Sequence, residues 1–179
     1  MSNHLITLQS SRLVLKTLDE NAAELVCTYV NYNRAFLEDW VPRMEEVYYT
    51  LKFQKERLQK KIDNGYTFYI FKKSDLNQII GQVGISNIVK GAFQSCHLGA
   101  GMLGAEINKG YMTEAIQTVI PFVFNEIGLH RIEANVMPKN LRSKRMMEKL
   151  GFANEGLSRK YLKINGKWED HERFVLWNE

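Results

Sequence analysis

The residue types best suited to chemistry gather in one stretch, Glu106-Ile107-Asn108-Lys109-Gly110-Tyr111-Met112-Thr113-Glu114-Ala115. It lies between a strand-like segment, residues 96–103, and a long apolar-periodic segment, residues 111–127. A turn that runs straight into a helix leaves the first helical N–H groups without intrahelical partners. Those donors, at the positive end of the helix dipole, form an anion site. Gly110 lets the backbone approach a ligand and Lys109 adds a full positive charge. A di-anionic group such as a cofactor pyrophosphate would suit the place. An ordinary strand-to-helix turn with a glycine for its geometry accounts for the same residues, because a single glycine is a weak phosphate signal.

Other reactive side chains are dispersed. Cys27, Cys96 and the four histidines have no metal-ligand spacing, so no metal site is expected. No Ser/His/Asp or Cys/His pattern supports an acyl-enzyme. Groups able to move a proton occur at Glu106, Glu133, Tyr161, Asp170 and His171. A salt bridge explains Glu133 equally well, and the pinning of a hairpin explains Asp170. The run Phe36-Leu37-Glu38-Asp39-Trp40-Val41-Pro42 mixes large apolar groups with acids before a helix-breaking proline. It suits either the mouth of a substrate pocket or a satellite core cluster.

These residues need a scaffold, and 179 residues suffice for one domain with a real core. Hydrophobic residues make up 45% and charged residues 25%, an ordinary globular balance. No apolar run approaches the ~20 residues of a membrane span, and Met1-Ser2-Asn3-His4 lacks a signal-peptide start. Two isolated thiols fit a reducing cytoplasm. A net charge of +4 is spread along the chain, with no arginine-rich arm to suggest direct DNA binding.

Alternation predicts a first strand over residues 12–18, then Asp19 as an N-cap for a helix over 21–32. A lysine-rich helix follows over 50–64, with Leu51, Leu58 and Ile62 at helical spacing and Gly65 to end it. Strands are expected over 66–72 and 78–89, joined at Ser74-Asp75-Leu76-Asn77, and over 93–103. Gly99-Ala100-Gly101 is bare for a strand and implies a bulge, or a ligand or backbone lying close. The helix over 111–127 offers Ala115, Val119, Phe122 and Val123 to a core, with Pro121 interrupting and Gly128 ending it. A strand over 130–137, a helix over 140–150 stopped by Gly151, and a hairpin of 152–164 with 168–177 across Asn165-Gly166 complete the series. The order predicts an α+β fold with a mixed sheet.

Several motifs together resemble the GNAT acetyltransferase family, and within it the RimJ/RimL branch of protein N-terminal acetyltransferases. Residues 107–112 fall on that family's pyrophosphate loop. His130-Arg131-Ile132-Glu133-Ala134-Asn135 falls on the strand that splays from its neighbour. Asn140-x-x-Ser143, followed by Glu148-Lys149-Leu150-Gly151-Phe152, is similar to the family's second signature. Gly156, Asn165-Gly166-Lys167-Trp168-Glu169-Asp170-His171 and Phe36-Leu37-x-x-Trp40 are similar to the branch's closing hairpin and N-terminal segment. The loop departs from the pattern at Ile107, often Gln or Arg, at Asn108, often Gly, and at Met112, in place of a second small residue.

The resemblance implies one GNAT domain over residues 1–179, with its core at about 10–177. It implies a mostly antiparallel twisted sheet of about seven strands, flanked by four to five helices. Acetyl-CoA would be the acetyl donor, attacked directly by an amine. Met102 and Leu103 would hold the pantetheine and thioester. Ile107, Asn108, Lys109, Gly110, Tyr111, Met112 and Thr113 would hold the pyrophosphate, with Asn135 and Asn140 on the pantetheine arm. Ser143 would touch both cofactor and leaving sulfur, although a plain helix cap also explains Asn140 and Ser143. Glu133 and Asp170 are the further catalytic candidates, and Phe36, Trp40, Tyr161 and Trp168 the acceptor-binding ones. The acceptor would be a protein N-terminus, the N-terminal alanine of a small-subunit ribosomal protein, whose basic tail could meet Glu38, Asp39, Glu45 and Glu46. A small amine acceptor, or a non-catalytic protein that binds acetyl-CoA or the ribosome, are the other readings. The chain would act in the cytoplasm without a membrane, as a monomer or a dimer.

Overall fold

The structure is a computed structural model that describes residues 5–37, 40–60 and 64–179. Eight strands alternate with four α-helices: β1 (Thr7–Gln9), β2 (Leu13–Lys16), α1 (Ala23–Leu37), α2 (Leu51–Gln59), β3 (Gly65–Lys72), β4 (Asp75–Val89), β5 (Ser95–Met102), α3 (Tyr111–Pro121), β6 (Arg131–Val136), α4 (Leu141–Lys149), β7 (Ala153–Ile164) and β8 (Lys167–Trp177). All lie in one sheet of order β1-β2-β3-β4-β5-β6-β8-β7. Every neighbouring pair is antiparallel except β5 and β6. A parallel pair needs a crossover, and α3 supplies it. The expected mixed, mostly antiparallel α+β sheet is present, with eight strands in place of about seven. The added strand, β1, has only three residues, two of them exposed, too few for an alternation signal.

Helices cover the sheet on both faces. The helices α3 and α4 pack on one face, where Ala115, Ile116, Val119 and Met147 meet Phe68, Ile85, Ile132 and Phe174. On the other face α1 buries Val26, Tyr29, Val30 and Asn33, spaced three and four residues apart, against Tyr69, Phe71 and Ile79. Local chemistry sets most boundaries. Asp19 accepts from the Asn21 N–H, and Thr50 caps α2 through the Phe53 N–H. Asn165 and Gly166 both have positive φ, the two-residue turn that matches the twist of a hairpin.

Four boundaries differ from the sequence reading. The helix α2 ends at Gln59, and Gly65 opens β3 rather than capping the helix; Ile62 lies outside the described residues. The β3–β4 turn is the pair Lys73-Ser74, with Asp75 accepting from the Asn77 N–H inside the next strand. After Pro121, which has no N–H to donate, the α-helix widens into a π-helical turn over Phe122–Glu126, closed by the Ile127 N–H on the Phe122 carbonyl. The helix α1 runs on through Phe36 and Leu37, which were expected in a loop.

The feature that positions the site is the parting of β5 from β6. They pair only at Ser95↔Arg131, Cys96↔Ile132 and His97↔Glu133. Beyond that β6 stays with β8 through six residue pairs, and β5 stays with β4. A bulge in β4 lies beside the divergence. Asn87 and Ile88 fall between Ser86↔His97 and Val89↔Ser95, Asn87 has φ 50°, and its amide reaches His97 Nδ1 at 3.1 Å. Such a bulge increases local twist, which turns β5 out of line with β6.

A clamp fixes α3 to the start of the sheet. Glu114 Oε1 accepts from Ser10 Oγ at 2.7 Å, Ser11 Oγ at 3.0 Å and the Arg12 N–H at 2.8 Å, and Oε2 meets Arg12 Nε at 2.7 Å. Burial opposes ionisation of Glu114, but the Ser10 hydroxyl, the Arg12 N–H and guanidinium and the Ser11 hydroxyl outweigh it and pull its pKa down to about 2. A carboxylate held down in the folded state stabilises the fold above its unfolded pKa of about 4.3, and that contribution fades as pH falls towards the folded value. Replacing Glu114 with Gln is expected to destabilise the protein by on the order of 2 kcal/mol at pH 7. Urea denaturation across pH should show the gap between variant and parent closing between about pH 5 and pH 2.

Candidate active site

Where β5 and β6 part, a cavity of about 450 Å³ opens through the sheet. Leu98 to Met102 form one wall, Ala134 to Met137 the other. The Leu103 N–H donates to the Ile80 carbonyl on β4 at 2.9 Å. Antiparallel alternation then turns the backbone groups of Leu98, Ala100 and Met102 away from β4 and into the gap. An amide-bearing chain laid there would find the partners of a missing strand. The bare Gly99-Ala100-Gly101 segment lies on this wall, as a close ligand requires. Beneath it packing is tight: a Cβ on Gly81 would stand 2.8 Å from the Gly101 carbonyl and 3.0 Å from Met102 Cε. Leu103 does not reach the cavity, because its N–H is engaged and its side chain is buried under α1.

At one end the cavity meets the N-terminus of α3. Gly110, φ 79°, is the N-cap and offers no side chain. The N–H groups of Tyr111, Met112 and Thr113 donate to no described residue. Ile107, Asn108, Gly110, Tyr111, Met112 and Thr113 line the cavity; Lys109 does not. Its ammonium meets Glu106 Oε2 at 2.9 Å, and Lys72 meets Oε1 at 3.0 Å. The Lys109 ammonium, with Lys72 beside it, holds the Glu106 carboxyl below its usual range against burial. Arg12 braces the loop from behind, donating to the Lys109 carbonyl at 3.1 Å and lying 4.5 Å over the Tyr111 ring. Two lysines and one glutamate leave this end net positive, which suits a pyrophosphate.

Asn140 and Ser143 sit midway. Asn140 caps α4 by accepting from the Ser143 N–H at 3.2 Å, and both residues line the cavity. The Ser143 hydroxyl bonds no described residue. A cap and a ligand role coexist, since the cap uses only one amide oxygen. Asn135 also lines the cavity, and its Oδ1 is buried without a partner. An orphaned acceptor is costly unless a ligand fills it.

The opposite end belongs to α1 and the residues after it. Phe36, Leu37, Trp40 and Val41 line the cavity there, so the apolar run forms a mouth rather than a satellite core. Arg142 lies 5.6 Å over the Phe36 ring and Lys139 lies 5.8 Å over Trp40. His171, 3% exposed, lines the same cavity from β8.

Besides Leu103 and Lys109, four of the sequence candidates lie outside the cavity lining. Glu133 points to the cluster outside the gap, 2.8 Å from Arg131 Nε and 3.0 Å from Arg173 Nη2. Burial works to raise its pKa, and the two guanidinium groups outweigh that and hold it low. Asp170 accepts from the Lys160 N–H at 2.8 Å, where the β7–β8 register shifts. Tyr161 faces the His171 ring at 5.8 Å without lining the cavity, and Trp168 is exposed. The residue that sequence reasoning missed is Arg12. It lies 97 positions from the loop that it braces, and nothing local marks it.

Comparison with known proteins agrees with this geometry. Residues 12–153 match the acetyltransferase (GNAT) domain family. A probable N-acetyltransferase of Bacillus subtilis, YjcK, is 39% identical over 96% of this chain and 97% of its own. The ribosomal protein uS5-alanine N-acetyltransferase of Escherichia coli is 34% identical over 93% of this chain and 88% of its own. The crystal structure of a ribosomal-protein-S5-alanine acetyltransferase from Vibrio fischeri superposes with a TM-score of 0.91 at 30% identity, covering 97% of both chains. The chain belongs to the GNAT N-acetyltransferases, which use acetyl-CoA.

Proposed function

We propose that the protein transfers acetyl from acetyl-CoA directly to the α-amine of a protein N-terminus, with a ribosomal protein beginning in alanine as the acceptor class. The observation that carries this is the charge of the cavity. Its single carboxylate among the described residues, Glu106, is compensated by Lys72 and Lys109. A polyamine or lysine side chain arrives as a cation and asks for free acids. A lysine amine also needs about 3 kcal/mol more than an α-amine to lose its proton, and an α-amine, with a pKa near 8, is partly neutral at pH 7 already. A neutral, threaded chain end fits a narrow gap walled by strands. The similarity to the uS5-alanine acetyltransferases supports the same acceptor class. The rim charge adds little. Glu46 is paired with Arg34, Glu38 and Asp39 lie outside the described residues, and Lys139 and Arg142 border the mouth.

In this reading the chain's work is positioning, which contributes several kcal/mol. The α3 N-terminus anchors the pyrophosphate, the backbone of Leu98 to Met102 aligns the pantetheine, and Asn140 steadies it. The Ser143 hydroxyl offers a proton to the departing sulfur.

Thiol release should occur with a peptide beginning in alanine and not with the same peptide carrying a blocked α-amine and free lysines, nor with spermidine. Turnover of spermidine alone would instead favour a small-amine acetyltransferase. Replacing Ser143 with Ala is expected to lower kcat by ~10²-fold, while calorimetry shows acetyl-CoA affinity unchanged within about twofold.

A further inference from the structure

Resting on the proposed acceptor, we infer that His171 is the base that takes the proton from the attacking amine, with the Asn135 side-chain oxygen holding that amine in place. Four titratable side chains line the cavity among the described residues: Glu106, Tyr111, Arg142 and His171. Glu106 is locked between two ammonium groups and is a poor proton acceptor. Tyr111 lies under the Arg12 guanidinium at the pyrophosphate end. Arg142 is a permanent cation. His171 is the one that can accept a proton without breaking an ion pair.

Its ring is already oriented. His171 Nδ1 lies 3.1 Å from the Glu169 carbonyl. A carbonyl oxygen can only accept, so Nδ1 carries the hydrogen, and in the neutral ring Nε2 keeps a free lone pair. Tyr161 packs on the ring from β7, at 5.8 Å between centres. The strand register places His171 two residues from Arg173, the partner of Asn135 on β6. Asn135 and His171 are therefore diagonal neighbours on one face of the sheet, a distance of about 7–8 Å. An amine nitrogen fits between two such acceptors, and Asn135 Oδ1 has no partner of its own. Both lie on the α1 face, with the aromatic mouth, and opposite to α3. Among the described residues, the charged and titratable groups that share the cavity or the strand face with the ring are Tyr161 on β7, Arg142 on α4 and Glu106 across the cavity, with the Glu133–Arg173 pair along the strands.

The step balances simply. The amine lone pair forms the N–C bond to the thioester carbonyl carbon, and one N–H proton passes to His171 Nε2. The C–S bond breaks with its electron pair on sulfur, which takes a proton from Ser143, and Ser143 is reprotonated from solvent. His171 then returns its proton to solvent. No oxidant or further reactant is needed.

The test compares the parent with His171→Gln, His171→Ala and Asn135→Ala, using acetyl-CoA and the alanine-starting peptide from pH 6 to 10. The expected result for His171→Gln is a fall in kcat of ~10²-fold or more, with acetyl-CoA affinity within about twofold of the parent and the acid limb of kcat/KM kept, since the α-amine's own pKa near 8 imposes it. Added imidazole should restore part of the His171→Ala rate. Asn135→Ala should raise the peptide KM more than it lowers kcat. A His171→Gln protein that stays folded with kcat within threefold of the parent, or a His171→Ala rate that imidazole leaves unchanged, overturns the assignment alone. A parent that binds acetyl-CoA and acetylates no amine overturns the proposed function and this assignment together.

Discussion

The site depends on a shortage of backbone partners. The strand β6 pairs along its whole length with β8, but with β5 at three residues only. Past His97 the inner edges of both strands carry N–H and C=O groups that no strand meets. Inside a sheet such groups are expensive to leave unpaired. A ligand rich in amides can supply what the sheet lacks, and the gap is the width of an absent strand rather than a pit on the surface. That explains why its walls are so plain. Leu98, Ala100 and Met102 turn backbone groups into the gap, and Gly99 and Gly101 between them carry no side chain.

Aim matters as much as space. The helix α3 must point its open end at this gap, and its first turn is held by contacts made from more than 95 residues away. Glu114 gathers Ser10, Ser11 and Arg12, and Arg12 in turn reaches the Lys109 carbonyl and the Tyr111 ring. The loop's own charges are largely spent on each other, since Glu106 joins Lys72 to Lys109. Fixed N–H dipoles and a small positive excess remain. That combination is chemically suited to a di-anion.

Much of this was legible in the sequence. Gly110 before an apolar-periodic segment, Asn140 before a short helix, and Asn165-Gly166 between two strands each name their local geometry through turn and cap chemistry. The bare Gly99-Ala100-Gly101 pointed to a bulge, or to a backbone or ligand lying close, and the structure packs Gly81 of β4 tightly against Gly101. What stayed hidden is long-range. Arg12 reads as the start of a strand, Glu133 gives no sign of being enclosed by Arg131 and Arg173, and β1 is too short to alternate. Leu103 looked like part of the cofactor wall, yet strand alternation gives its N–H to Ile80. The apolar run at Phe36 was ambiguous, because only the third dimension decides whether a side chain meets a core or a cavity. Glu114, inside the most closely read stretch, kept its partners hidden for the same reason.

The strand order has a consequence in time. The strand β8 follows every other strand in sequence but sits between β6 and β7. Until it arrives, β6 lacks its long partner, β7 has no place in the sheet, and the His171 side of the gap does not exist. Contacts of such wide sequence separation form slowly. The cavity is thus incomplete until the final hairpin is in place. Binding across the gap would then favour the completed fold by mass action, so the metabolite that the enzyme consumes also acts as a brace for newly made copies of it.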